Sequence, residues 1–181
     1  MIVSIDLFNS YTGNYEDAQS AIILKEAFLS SSEEVIKGYL GFDPIEQEYI
    51  DVLVSGSNKK VLYLPSRPIT DLYSLLIDDT TIDTASFNFK DDYIYFRDYK
   101  MPFKMGIDNI LISFKAGWDE QNMPSVIKLS ILRIATLMLS ETNGNIGLTG
   151  KSFSDNSRTF INYSNYRKYL QPLDVLRIVR F

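Results

Sequence analysis

The chain has no histidine, no cysteine and a single tryptophan in 181 residues. Without histidine there is no Ser–His–Asp triad and no imidazole base working near neutral pH. Without cysteine there is no thiolate nucleophile, no disulfide framework and no thiolate zinc site. Any metal chemistry is left to carboxylates, and the lack of cysteine fits a reducing compartment. No apolar run is long enough to cross a bilayer, and Met1–Ser10 lacks the charged and then apolar pattern of a signal peptide. Cationic residues are also short, with 18 Lys+Arg against 23 Asp+Glu, a net charge of −5 and a pI of about 4.8. That balance speaks against a duplex-DNA binder, whose affinity comes mainly from cations on phosphate.

What is present is enough for a folded core. Apolar residues make up 45 % and charged residues 23 %, globular values that set the chain apart from disordered ones. The length predicts one domain or two small subdomains. Asn14 is a candidate N-cap for a helix over Tyr15–Leu29, with Glu16 and Asp17 in the first turn and Ala18, Ala21, Ile22, Lys25, Phe28 and Leu29 at helical spacing. Ser30-Ser31-Ser32 reads as a break. Ser31 with Glu34 matches a capping box for a second, short helix ending near Gly38 or Gly41.

From Ile45 to Trp118 the pattern alternates instead. Tyr49–Val54 and Lys60–Leu64 flank Ser55-Gly56-Ser57-Asn58, a hairpin signal. Pro65 and Pro68 stop the strand, because neither can donate to a ladder. Ile69–Ile77 is the next strand, Asp78-Asp79 the next turn, and Ser86–Lys90 with Tyr93–Arg97 a second hairpin about Asp91-Asp92. Ile110–Lys115 closes a sheet whose short connections make it mostly antiparallel. Pro124 opens the strongest helix, over Ser125–Thr142, with Asn143-Gly144 as its stop. Its apolar residues run nearly all round, which places it at the centre of a core or shares it with a partner subunit.

Asn143–Ser157, rich in Gly, Asn and Ser, reads as a mobile loop. Beyond it Tyr163, Tyr166 and Tyr169 recur at spacing three among Arg167 and Lys168, and Pro172 introduces a last segment carrying Arg177, Arg180 and Phe181. Tyr and Arg are the residue types that most often anchor interfaces. A basic, apolar end on an acidic chain is either captured by another surface or docked on its own domain.

No catalytic constellation is present. Asn145–Ser152 falls one residue short of a P-loop, with Asn145 at the first glycine position. It follows a helix instead of a strand, so it reads as a connection. Asp78-Asp79, Asp91-Asp92 and Asp119-Glu120 sit where turns are expected, and none has calcium-loop spacing. Tyr93, Tyr95, Phe96 and Tyr99 form either a stacking platform or sheet core.

Three segments resemble a known family in order and spacing. Leu62–Leu75, containing Leu64-Pro65-Ser66-Arg67-Pro68-Ile69, is similar to the L-P-x-R-P-hydrophobic segment of tailed-phage head–tail connector proteins. Ile112-Ser113-Phe114-Lys115-Ala116-Gly117-Trp118, followed by Met123–Lys128, resembles that family's strand-to-helix junction. Gly150–Thr159 and the aromatic, basic end resemble its polar loop and final Tyr-Arg segment. The resemblance covers Glu34 to Phe181 and implies an α+β fold, a helical bundle with an inserted, mostly antiparallel β-domain. The expected divisions are residues 1–44 as N-terminal helices, 45–118 as the β-domain, 119–143 as the long helix and 144–181 as loop and tail.

The resemblance further implies a structural protein of the virion neck, assembled in the host cytoplasm, with no enzymatic activity and no cofactor. It implies a ring, dodecameric in this family, between the portal protein and a downstream tail or stopper protein. DNA would pass through its channel without specific binding, and no membrane would be involved. Tyr163, Tyr166, Arg167, Tyr169, Arg177, Arg180 and Phe181 then become candidate contacts with portal and neighbouring subunits. The alternative is a binding module, for carbohydrate or at a tail tip, that uses the sheet aromatics.

Overall fold

Ser4 starts a helix that the hydrophobic pattern does not announce. Its hydroxyl accepts from the Leu7 N–H at 3.2 Å, and the helix α1 (Ile5–Thr12) runs until Gly13 turns left-handed at φ 68°. The computed structural model describes residues 1–98, 102–141, 148–151, 158–160 and 163–178. They fall into two units, Met1–Gly41 with Met123–Phe181, and Phe42–Asn122.

In the first unit the expected helical pair is one helix, α2 (Gln19–Leu40). Asn14 does cap, but only a local turn, accepting from the Glu16 N–H at 3.1 Å. The helix itself begins after Ala18. Ser30–Ser32 does not break it: the Ser32 hydroxyl is absorbed by the Phe28 carbonyl one turn back, at 2.7 Å. Leu29, Ile36 and Leu40, all fully buried, hold the two halves to one core, and that burial outweighs the weak helix propensity of serine. Gly41 ends the helix as expected, at φ 82° with its N–H on the Lys37 carbonyl.

Helix α3 (Ser125–Glu141) follows Pro124, whose carbonyl accepts from Ile127 and so starts the turn. It buries Ile127, Ile131, Ile134 and Ala135 and packs on α2, where Ser32 meets Met138. Its expected stop, Asn143-Gly144, lies outside the described residues. Within the expected loop Leu148–Lys151 (β8 in chain order) is a strand, paired antiparallel with Arg158–Phe160 (β9) just beyond the loop's expected end. Lys151 of the near-P-loop therefore belongs to a strand and does not open a helix.

The second unit holds strands β1 (Gln47–Gly56), β2 (Val61–Tyr63), β3 (Ile69–Ile77), β4 (Thr80–Ile82), β5 (Phe87–Lys90), β6 (Tyr93–Phe96) and β7 (Gly106–Ala116). They form two antiparallel sheets, β1-β7-β3-β4 and β2-β6-β5. The fold is therefore α+β, with an antiparallel β-unit interrupting the helical one, as expected. One pairing differs. β1 and β2 are not a hairpin: β1 pairs with β7 and β2 with β6.

The physical reason lies in the linker. Gly56 is paired with Gly106, and a Cβ on Gly56 would fall 1.8 Å from the Lys104 carbonyl oxygen. The chain thus runs on past a crossing strand. Asn58 and Lys59 then bond to Phe103, at 2.8 and 2.9 Å, and carry it into the other sheet. Leu62, Phe87, Ile94, Phe96 and Phe103 from that side share one core with Leu75, Ile110, Ile112 and Phe114 from the larger sheet.

Candidate assembly surface

The C-terminal residues singled out by the sequence begin with helix α4 (Tyr163–Leu170), which continues into a 3₁₀ turn over Gln171–Leu176 with Pro172 at its start. Proline suits that place because its missing N–H would have had no helical partner. The turn is anchored on its own unit. Leu173 is fully buried, the Ser130 hydroxyl donates to the Tyr169 carbonyl at 2.9 Å, and the Ile178 N–H donates to the Leu40 carbonyl at 3.0 Å.

Around this anchor lies a hollow of about 810 Å³ lined by Val35, Tyr39, Arg167, Leu170, Asp174 and Arg177. The Tyr39 hydroxyl donates to the Asp174 carboxylate. The Arg177 guanidinium lies 5.1 Å from the centre of the Tyr39 ring, a cation–π distance. The bond to Asp174 comes first in raising the Tyr39 pKa above 10.0; burial and the Asp174 charge add to it, while Arg177 and Arg167 oppose it. Two exposed arginines thus frame one carboxylate.

Of the seven candidate tail residues, Arg167 and Arg177 meet at this hollow. Tyr169 is half-buried, its ring lying 4.9 Å from the Lys168 ammonium. Tyr163 and Tyr166 belong to α4, but their side chains lie outside the described residues, as do Arg180 and Phe181 altogether. Residues 169–178 make contacts within their own unit, while Arg167, Val175 and Arg177 keep an exposed face. Tyr39 and Asp174 had no signal of their own, being 135 residues apart.

Tyr39→Phe removes the donor and keeps the ring under Arg177. The lost bond is worth about 1 kcal/mol, so the Ile178 amide should exchange roughly fivefold faster while the melting point barely moves. The sign of the pH effect follows from the raised pKa: the tie is complete below pH 10 and is lost as pH rises through the folded value. Exchange at Ile178 that rises across this alkaline range equally in wild type and variant would disprove the tie.

The other candidate sites resolve into structure. Asp78 and Asp79, at φ 48° and 62°, form the tight turn between β3 and β4. Asp119 accepts from both the backbone and side-chain nitrogens of Asn122, which lowers its pKa. Among the described residues no group of three carboxylates is placed to hold a metal ion. Phe96 is core, 4.4 Å from Phe87 and 5.1 Å from Phe103 between ring centres. Tyr93 and Tyr95 lie on the opposite face with Tyr63, but the rings tilt by 62° and 46° to their neighbours and share no plane for a flat ligand. Tyr99 lies outside the described residues.

No family model matches the chain, and no curated protein matches it by sequence. Solved structures do match its fold. A chain from the neck of an empty GTA particle, computed with C6 symmetry, aligns with a TM-score of 0.62 at 13 % identity, over 99 % of this chain and 91 % of that one. A chain from the neck of a native GTA particle, computed with C12 symmetry, aligns at 0.59 and 12 % identity, over 98 % and 89 %. A chain from the virion of a native gene transfer agent particle aligns at 0.63 and 12 % identity, over 99 % and 91 %. This protein therefore has the fold of those particle chains, helices and inserted β-unit together.

Proposed function

We propose that this protein is a head–tail connector subunit, a structural component of a virion neck. It has no active site and works by assembly. Copies close into a ring of twelve, one face of which sits on the portal protein while the other receives a tail or stopper protein. The ring's centre continues the channel through which DNA leaves the head. The observation that carries this reading is the match of nearly the whole chain, in both units, to neck chains of particles treated with C6 and C12 symmetry. The three connector-like segments in the sequence, Leu62–Leu75, the junction of Ile112–Trp118 with Met123–Lys128, and Gly150–Thr159 with the aromatic, basic end, support it independently.

The charge is compatible with this role. A net charge of −5 lets DNA slide past without the phosphate contacts that would hold it. The exposed arginines Arg167 and Arg177, with Arg180 and Phe181 beyond them, are the proposed portal and neighbour contacts. Mass photometry over a concentration series, alone and with portal rings added, tests the reading. The expected result is a closed ring, or saturable loading onto portal. A monomer that ignores the portal at every concentration would sink it.

A further inference from the structure

We infer that the ring closes through two different helix faces, the outer stripe of α2 on one copy meeting the outer stripe of α3 on the next. This rests on the connector reading above and says which surfaces carry it. A closed ring requires a heterologous contact, one patch against an unlike patch, and the helical unit exposes such a pair. On α2, Leu24, Ala27, Ser31 and Glu34 follow one another at spacings of three and four on the side opposite Leu29, Ile36 and Leu40. Ile23 is 56 % exposed and Leu24 40 %, a large apolar exposure for an amphipathic helix. Ala27 and Ser31 are small, which lets a second helix approach closely.

On α3, Leu129 is 37 % exposed and continues through Arg133 and Thr136, opposite the buried Ile127, Ile131 and Ile134. The two stripes differ in charge. Glu34 is the exposed ion of the α2 stripe, whereas Arg133 is the exposed ion of the α3 stripe. Like stripes would set acid against acid or arginine against arginine. Unlike stripes pair Leu24 and Leu129 across a seam flanked by opposite charges. The occupant of each face is therefore a second copy of this chain, and each copy offers one face of each kind.

Heterologous contacts make a distinctive mixing prediction. Variant one carries Leu24→Asp and Ala27→Asp; variant two carries Leu129→Asp and Arg133→Glu. All four positions are exposed, and far-UV circular dichroism checks that both variants fold. Under conditions in which the wild type assembles, native mass spectrometry should find each variant monomeric. Their equimolar mixture should give a heterodimer and nothing larger, because only one intact α2 face and one intact α3 face remain to meet. Either variant alone forming rings would overturn the inference, and so would a mixture that stays monomeric. If a variant fails to fold, the charge reversals Glu34→Arg and Arg133→Glu are mixed instead. Each alone should stay monomeric and the mixture should close alternating rings, because every α2–α3 contact between the two again sets glutamate against arginine. A mixture that stays monomeric would overturn the inference. Wild type that never assembles, even on portal, would overturn the connector reading itself and this inference with it.

Discussion

Phe114→Ala is expected to destabilise the β-unit by about 3–5 kcal/mol, the range for emptying a large aromatic site in a sealed core. Phe114 is fully buried near the C-terminal end of β7, with strands on both sides, paired to Tyr49 of β1 and Leu72 of β3. Its ring stacks on Tyr49 at 4.8 Å and 7°, so truncation removes an aromatic pair as well as apolar area. Backbone hydrogen bonds on both edges of β7 prevent the neighbouring strands from collapsing into the space. The lone Trp118, two residues beyond β7, lies in the same unit and reports its unfolding. Urea unfolding followed by tryptophan fluorescence measures the loss. A change below about 1 kcal/mol would show that the site repacks and is not the keystone its burial indicates.

The second large effect is expected at Lys25, which is 1 % exposed in the helical unit. Its ammonium donates to three oxygens: Asn9 Oδ1 at 2.8 Å, the Asn14 carbonyl at 2.9 Å and the Glu16 carbonyl at 2.9 Å. All three N–H groups are satisfied by neutral acceptors, which ties α2 to the end of α1 and to the segment between them. Lys25→Met keeps the length and loses the donors. It should cost about 2–4 kcal/mol, because bonds to a charged group are strong and the orphaned carbonyls rehydrate only in part. Lys25→Arg should not rescue it, since a planar fork does not fit three oxygens converging on one point. Thermal melts followed by the helical circular dichroism band measure this. A Met variant as stable as wild type would mean that desolvating the ammonium offsets the three bonds.

How much of this was legible beforehand depends on whether the partners were local. β3 is legible at both ends because Pro68 and Asp78-Asp79 bracket it, and the start of α3 because a dense apolar run follows Pro124. The turns at Asp78-Asp79 and Asp91-Asp92 also came out as expected. What failed was decided by distant contacts. β1 chose β7, some sixty residues on, over its neighbour β2. The serines of α2 were kept helical by packing that no local signal carries. α1 is short, and its Ser4 cap alone does not announce it. Lys25 reads as one more position on a helix face, since backbone carbonyls, its main partners, leave no mark in a sequence. Arg167 and Arg177 were singled out by residue type, yet Tyr39 and Asp174, which complete their hollow, carry no motif.

The base of the β-unit has a consequence for how such proteins diversify. The incoming and outgoing chains are laced together there: the Glu46 N–H donates to the Trp118 carbonyl at 3.0 Å, and the Trp118 N–H to the Pro44 carbonyl at 2.9 Å. Gly117, at φ 112°, lets them touch, since a Cβ would come within 2.5 Å of the Ile45 carbonyl oxygen. Because the crossing points are adjacent, the helices experience the whole insertion as a short link, with its closure entropy already met by the insertion's own folding. Recombination at this seam could exchange one β-unit for another, longer, shorter or differently decorated, without re-evolving the helices. The helical part would then be inherited as a chassis, and the inserted part would be free to change.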